Sequence, residues 1–278
     1  FELMKNWFNK SNKIDIAFTN IIQGKTNYSN YVKTHSKIET FLQYKYIISI
    51  EGNIGSGKST FFNYIKEQLG VQSNVIFLDE PVGIWETIRD SEGNILEHFY
   101  NDPYKYSYCF QMTAYISRLV LVKEALKKLG PDGTIITERC VFSDYNVFTK
   151  MLHDSGKINK VEYESYKLWF DYFIQDIPVP NFIYLKASPE TCYKRVMMRG
   201  RTSETEMSIE YLKECESYHD TWLIPGLLGN VTVIDGNQTT EYHSKYLNII
   251  KKLIHRPRER TLKRKITTLQ DTLGGLTF

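Results

Sequence analysis

The first sustained apolar, β-branched run in the chain is Tyr46-Ile47-Ile48-Ser49-Ile50, and it predicts a buried strand. Residues 60–66 then read as the start of a helix. Val75-Ile76-Phe77-Leu78 predicts a second short strand, and residues 103–129 a long helix stopped by Gly130-Pro131-Asp132-Gly133. Thr134-Ile135-Ile136-Thr137 is a third strand, followed by helical stretches near 141–153 and 159–175. Asn181-Phe182-Ile183-Tyr184-Leu185 is the fourth. Ser188-Pro189-Glu190 then supplies an N-cap, a first-turn proline and an acid, which together start a helix. Val231-Thr232-Val233-Ile234 is the fifth strand. Short continuous apolar strands alternating with helices predict an α/β fold with a parallel five-stranded sheet covered on both faces.

Texture divides the chain into three parts. Residues 1–45 are rich in Lys, Asn, Ser and Thr without a sustained period and are expected to be an N-terminal extension, partly disordered. They contain no Arg and carry Glu2, Asp15 and Glu39, which argues against a mitochondrial presequence. Residues 46–254 hold the alternating elements and are expected to form one domain. The remainder, 255–278, is expected to be a basic tail; from Lys251 to Lys265 the only acid is Glu259. The whole chain has 278 residues, 42% hydrophobic, enough for one sizeable core. A net charge of +3 gives no general nucleic-acid footprint. Cys109, Cys140, Cys192 and Cys215 form no C-x-x-C pair and fit a reducing compartment. No apolar run approaches the roughly 18 residues of a membrane helix. A cytoplasmic location is expected, with a mitochondrial one as the alternative.

The candidate chemistry begins where the first strand ends. Residues 52–59 read G-N-I-G-S-G-K-S, a complete G-x-x-x-x-G-K-[ST] phosphate-binding loop between strand and helix. Gly52, Asn53, Ile54, Gly55, Ser56 and Gly57 would turn successive amides toward phosphate oxygens, aided by the helix N-terminus that Ser59 and Thr60 begin. Lys58 would reach the outer phosphates, and Ser59 would help hold Mg²⁺. In a parallel sheet, ligands bind beyond the carboxyl ends of the strands. Glu80-Pro81 and Trp85 follow the second strand; Glu138, Arg139, Cys140 and Asp144 follow the third. Tyr100, Phe110, Gln111 and Arg118 lie around the long helix. Arg195 and Arg199 share one face of the helix after the fourth strand, with Arg201 and Glu204 beyond it. Carboxylates, guanidiniums and aromatics beside a phosphate loop suit phosphoryl transfer.

Several stretches occur in a fixed order: E-G-N-I-G-S-G-K-S-T, E-P-V with Trp85, Y-N-D-P with F-Q, E-R-C-V-F-S-D, Y-L-K-A-S-P-E and R-G-R-T-S-E. Over about residues 46–224 the chain resembles the deoxynucleoside kinases of the deoxycytidine/deoxyguanosine/deoxyadenosine kinase type. The resemblance implies a P-loop kinase fold with an Arg-rich lid. It also implies ATP-dependent phosphorylation of a deoxynucleoside 5′-hydroxyl, with Mg²⁺. By that resemblance Glu80 is the general base, Arg139 holds the reacting oxygens beside it, and Glu138 places Mg²⁺ with Ser59. Arg195, Arg199 and Arg201 correspond to the lid over ATP. Tyr100 and Glu204 correspond to the pair that binds the 3′-hydroxyl, and Gln111 to the side chain that reads one base edge. Phe110 and Phe148 flank the base, with Trp85 and Phe99 as further walls. Arg118 and Asp144, with Ala114 on the same side, accompany purine deoxynucleosides or deoxycytidine rather than thymidine. Cys140 stands where the family usually has Ser, which is expected to forgo a hydroxyl contact.

Two alternatives stay open. A deoxynucleoside monophosphate kinase shares the loop and lid but lacks the Glu-Pro motif and the Tyr100/Glu204 pair in this arrangement. A non-catalytic structural homologue would be expected to lose the loop or the base, whereas Gly57, Lys58, Ser59, Glu80 and Arg139 are all present. The expected partners are ATP and a deoxynucleoside, without nucleic acid or membrane. Relatives are commonly dimers built by helix packing, so a homodimer is expected.

Overall fold

The computed structural model describes residues 46–70, 74–130, 133–201, 204, 207–226, 228–238 and 243–254. The expected extension at 1–45 and the tail at 255–278 lie outside the described residues.

Five strands form one sheet: β1 (Tyr46–Gly52), β2 (Val75–Leu78), β3 (Thr134–Glu138), β4 (Asn181–Lys186) and β5 (Val231–Asp235). Their spatial order is β2-β3-β1-β4-β5, and each neighbouring pair is parallel. The α/β sheet expected from the alternation of elements is therefore what forms. Ten α-helical segments accompany it among the described residues: α1 (Lys58–Leu69), α2 (Val82–Thr87), α3 (Ile95–Asn101), α4 (Pro103–Lys128), α5 (Val141–Ser143), α6 (Lys150–Asp154), α7 (Lys160–Phe173), α8 (Pro189–Arg199), α9 (Ile209–Leu223) and α10 (His243–Ile254).

The period of two along β1 decides what each face of the sheet carries. Ile48 and Ile50 join Ile136, Ile183, Leu185 and Ile234 against Phe61, Phe62 and Ile65 of α1 and Leu247 and Ile250 of α10. Ile47 joins Ile135, Phe182 and Tyr184 on the other face, against Tyr115 and Leu119 of α4, Tyr166 and Phe170 of α7, and Trp222 of α9. Ser49 and Glu51 share that second face and are fully buried. A third apolar cluster, Trp85, Ile95, Phe99, Phe110, Ala114, Leu152 and Ile158, lies beyond the sheet and walls the site.

Helix starts follow ordinary capping chemistry. Asp102 accepts from the Lys105 amide ahead of Pro103 in α4, and Ser188 accepts from the Thr191 amide ahead of Pro189 in α8. Asn94 with Glu97, and Asn159 with Glu162, close capping boxes on α3 and α7. One expectation changes. The stretch near 141–153 is not a continuous α-helix, because Asp144–Thr149 is π-helical between α5 and α6. The wider turn carries both Asp144 and Phe148 to the lining of the site.

Ile136 is fully buried at the centre of the sheet. Ile136→Ala should cost roughly 2–5 kcal/mol, because the surrounding strands cannot collapse into the space. Denaturant unfolding should show a lower midpoint at an unchanged slope.

Candidate active site

β1 ends in Gly52 and α1 begins at Lys58, so the loop between them spans a strand end and a helix N-terminus. Two glycines there have no substitute. Gly52 has φ +149°, and a Cβ would sit 2.5 Å from the Leu185 carbonyl oxygen. Gly55 has φ +76°, and a Cβ would collide with the Cys192 carbonyl. Asn53 ties the loop down: its Nδ2 donates to the Leu212 carbonyl at 2.7 Å, and its Oδ1 accepts from the Ile54 amide at 2.8 Å. Lys58 Nζ donates to the Asn53 carbonyl at 2.7 Å. Burial first, and Arg139 next, lower the Lys58 pKa to about 8.

A single cavity of ≈ 760 Å³ runs from this loop to the aromatic cluster. Its lining includes Ile54, Gly55, Gly57, Lys58, Ser59, Thr60, Glu80, Trp85, Phe99, Tyr100, Phe110, Gln111, Arg118, Glu138, Arg139, Asp144, Phe148, Arg195, Arg199, Arg201 and Glu204. Of the residues singled out from the sequence, Gly52, Asn53 and Ser56 lie behind that surface, where Asn53 and Ser56 are buried.

Glu80 sits between two guanidiniums. Arg118 Nη2 donates to its Oε1 at 3.2 Å, and Arg139 Nε lies 3.4 Å from the same oxygen. Burial by itself would raise the Glu80 pKa, but Arg118, Arg139 and Lys58 outweigh it and hold the carboxyl below its ordinary range. Arg118 also grips Asp144 by two contacts, Nε to Oδ2 at 3.0 Å and Nη2 to Oδ1 at 3.4 Å, and donates to the Glu138 carbonyl at 3.1 Å. Burial works against the charge on Arg118, and the carboxylates of Asp144 and Glu80 overcome it, so its pKa is raised.

Arg139 has φ 60°, the only positive φ outside glycine among the described residues. Such a conformation costs about 1–3 kcal/mol and persists only where its surroundings impose it. The Arg139 amide donates to the Ile50 carbonyl at 3.0 Å, and Thr137 Oγ1 donates to the Arg139 carbonyl at 2.8 Å. The Cys140 amide that follows donates to Ser143 Oγ at 3.1 Å. Cys140 does not forgo a side-chain contact, contrary to the expectation for a thiol at this place. Its Sγ donates to Glu51 Oε1 at 3.0 Å, alongside Ser49 Oγ at 2.6 Å. Burial first, and Glu51 next, keep that thiol protonated by raising its pKa.

The arginines expected to form one lid divide their work. Arg195 is fixed to backbone: Nη1 donates to the carbonyls of Ser56 at 3.1 Å and Gly236 at 2.7 Å, and Nη2 to Gln238 at 3.3 Å. Arg199 Nε donates to Glu204 Oε2 at 3.1 Å, and Arg201 lies 3.6 Å from Glu204 Oε1. Glu204 therefore meets the arginines as well as facing Tyr100. Burial, and then the Glu204 charge, raise the Tyr100 pKa, so its hydroxyl stays a donor. Ser59 Oγ donates to Glu138 Oε1 at 2.7 Å, a pair of hard oxygen ligands of the kind Mg²⁺ takes.

The aromatic wall is built by edge and face contacts. Phe110 stacks on Phe99 at 4.8 Å and meets Trp85 edge-on at 5.4 Å. Trp85 Nε1 donates to Ser117 Oγ at 2.9 Å. The Arg139 guanidinium lies over Phe148 at 4.8 Å. Residues of this neighbourhood that were not singled out from the sequence include Ser49, Glu51, His219 and His243. Glu51 directly precedes the loop in sequence, and that position beside the motif was the available signal. His219 lies on α9, whose Leu212, Cys215, His219 and Trp222 recur at helical spacing.

A phosphate loop that opens into a cavity with a carboxylate held by two guanidiniums defines a phosphotransferase of the P-loop kinase fold. The family model described as deoxynucleoside kinase matches residues 48–255, and the chain belongs to that family. It is 40% identical to a probable deoxycytidine kinase of fowlpox virus (strain NVSL), over 63% of this chain and 71% of the relative. It is 31% identical to human deoxycytidine kinase, over 74% and 88% respectively. It is 30% identical to the mitochondrial deoxyguanosine kinase of Xenopus laevis, over 63% and 72%. The protein is thus a nucleoside kinase, catalysing ATP-dependent phosphoryl transfer.

If the thiol of Cys140 matters only as a donor to Glu51, then Cys140→Ser should keep turnover within about twofold of wild type and leave the melting temperature nearly unchanged, because a hydroxyl donates at least as well. Cys140→Ala, which leaves Glu51 short of a donor, should destabilise by about 1–3 kcal/mol. Thermal melts of the two variants side by side check this.

Proposed function

We propose that the protein transfers the γ-phosphoryl group of ATP to the 5′-hydroxyl of a deoxynucleoside, with Glu80 as general base. We further propose that it prefers purine deoxynucleosides or deoxycytidine to thymidine. The observation that carries this reading is the Glu80 carboxylate, held ionised between Arg118 and Arg139 at the junction of phosphate loop and aromatic pocket.

The chemistry follows from those positions. A nucleoside seated between Phe110 and Phe148 would present its sugar to Tyr100, Glu204 and Glu80. Tyr100, kept neutral, donates to the 3′-hydroxyl, and Glu204 accepts from it. Glu80 accepts the 5′-hydroxyl proton as that oxygen attacks the γ-phosphorus, and the bond to the leaving β-phosphate oxygen breaks. Arg139 stays beside the reacting oxygens, and Lys58 and the loop amides hold the donor phosphates. Arg199 and Arg201 stand at the mouth, where closing over ATP would exclude water. Arg195 would act by fixing the loop through the Ser56 carbonyl. Ser59 and Glu138 would hold Mg²⁺, which when bound neutralises charge on the phosphate oxygens.

The base preference rests on Arg118 and Asp144, each 3% exposed at the side chain. A guanidinium and a carboxylate together donate and accept, which suits an amino group and a ring nitrogen. Thymine would bring a methyl group against Arg118. Gln111 offers a donor and an acceptor to the other base edge. The names of the relatives, deoxycytidine and deoxyguanosine kinases, support the same reading. A homodimer is supported by exposed apolar side chains on two helices that touch. These are Ile116 and Val120 on α4, and Val161, Leu168 and Trp169 on α7. The two helices are joined where Tyr108 donates to Ser165 Oγ at 3.2 Å. No helix among the described residues is long and apolar enough to cross a membrane.

Glu80→Gln keeps shape and removes the base, so turnover should fall about 10²–10⁴-fold with nucleoside binding retained. The wild-type pH profile provides an independent check. The base works when ionised, and its pKa is depressed, so the acid limb of kcat/KM should lie below the ordinary carboxylate value of about 4.5. Turnover of Glu80→Gln near wild type, or an acid limb centred near about pH 6, would sink the assignment.

Purified protein with ATP and Mg²⁺ should be offered every deoxynucleoside in competition, and the monophosphates separately. Thymidine should rank last by kcat/KM, and the monophosphates should not be phosphorylated. Arg118→Met with Asp144→Ala should open the pocket to thymidine. Arg118→Met alone should do worse than the pair, because it strands a buried carboxylate at a cost of several kcal/mol. A wild-type preference for thymidine would overturn the specificity reading and leave the kinase assignment standing.

A further inference from the structure

His219 is fully buried on α9, and the reaction described above does not use it. Its ring lies parallel to Tyr184 of β4 at 6.0 Å and meets Phe148 of the π-helical segment edge-on at 6.1 Å. Those contacts fix the ring plane, and its two nitrogens have different partners. Nδ1 lies 2.6 Å from the Cys215 carbonyl, which can only accept. Nε2 lies 3.3 Å from Arg139 Nη1, which can only donate. The proton therefore belongs on Nδ1 and the lone pair on Nε2. A charged ring would set two N–H groups against each other beside a second cation. The charged or titratable groups around it are Arg139, Lys58, the Cys215 thiol and the Tyr184 phenol. Burial and then Arg139 push the His219 pKa well below its ordinary value, in keeping with that geometry.

We propose that His219 is a positioning residue for phosphoryl transfer: as the neutral Nδ1–H tautomer it accepts a hydrogen bond from Arg139 and aims that guanidinium at the reacting oxygens beside Glu80. Arg139 otherwise has Glu80 on one edge, at 3.4 Å, and the face of Phe148, at 4.8 Å. Neither fixes the rotation of the guanidinium plane. The acceptor on His219 supplies that third point, from α9. The α9 helix also carries Leu212, whose carbonyl anchors Asn53 of the phosphate loop. One helix thus references both the loop and the guanidinium.

The proposal rests on the reading of Arg139 as a group that holds the reacting oxygens. Four variants and one spectrum test it. His219→Asn keeps a donor near the Nδ1 position and loses the Nε2 acceptor. Its kcat should fall on the order of tenfold or more, with nucleoside KM changed less than about threefold. His219→Gln reaches further, places an amide oxygen near the Nε2 position, and should recover most of the loss. Adding His219→Asn to Arg139→Ala should lower kcat no further than Arg139→Ala does. In the unmodified enzyme, ¹⁵N spectra of histidine-labelled protein should show His219 as the neutral Nδ1–H tautomer at pH 7. A kcat for His219→Asn within about threefold of wild type overturns the proposal. So do equal losses in the Asn and Gln variants, multiplicative losses in the double variant, or a protonated or Nε2–H ring in the spectrum. If Arg139→Ala itself keeps full turnover, the reading of Arg139 falls first. If it loses turnover while the histidine variants do not, only the proposal about His219 falls.

Discussion

Charge held out of water at the carboxyl ends of the strands is the constraint on which the site depends. Lys58, Arg118, Arg139, Glu51, Glu138 and Asp144 are all buried, and Glu80 is only 24% exposed at its side chain. Each such ion costs several kcal/mol to bury unless it is paired and hydrogen-bonded. The arrangement meets that cost by sharing. Arg118 serves Asp144, Glu80 and the Glu138 carbonyl at once, and Glu80 serves Arg118 and Arg139. A network of this kind is satisfied only when complete, because removing any member leaves its partner as an unpaired buried charge. That ties the chain after β2, the turn after β3 and the long helix α4 into one unit at the rim.

Much of this was legible in the chain. The five strands read as short apolar runs, because a parallel sheet buries both faces and leaves no polar alternation to confuse the pattern. The phosphate loop read from its glycines and its flanks. The rim residues read from their places just after strands. Other features were not legible, for reasons that are also physical. Helices α2 and α3 are short, and their apolar residues Trp85, Ile95 and Phe99 face a local cluster away from the sheet. The π-helical turn at Asp144–Thr149 departs from the α period, by which a helix is read in a sequence. Arg195 has the same charge as Arg199, and nothing in its spacing says that one would grip backbone and the other a carboxylate.

Glu51 shows a second limit. A glutamate inside a strand pattern ordinarily argues for an exposed face, yet this one is fully buried. Its Oε1 collects Ser49 Oγ and Cys140 Sγ, while Oε2 is buried without a protein partner. The side chain is tolerated because its two nearer donors come from one neighbour two residues away and another on the adjoining strand's exit, with Ser143 Oγ a third at 3.4 Å. That second donor, Cys140, directly follows the strained Arg139. A buried acceptor in β1 thus anchors the turn that leaves β3. Pairing between the two strands supplies the other half of the anchor, since the Arg139 amide donates to the Ile50 carbonyl.

The central strand therefore sets both halves of the chemistry by its alternation. The face carrying Ile48 and Ile50 ends at Gly52, packed against the Leu185 carbonyl, and hands the chain to the phosphate loop. The face carrying Ile47, Ser49 and Glu51 holds the turn that projects Arg139. Donor phosphates and acceptor hydroxyl would approach from the two sides of one strand end, where the backbone sets the starting points of the binding groups and side-chain contacts such as those of Arg139 aim them. Reaction geometry built on strand termini is more exact than geometry built on loops. A one-residue slip of β1 against β3 would exchange the faces, bury the wrong residues and separate the loop from the guanidinium. The register pairing Ile50 with Glu138 is thus as much a part of the site as the side chains it presents.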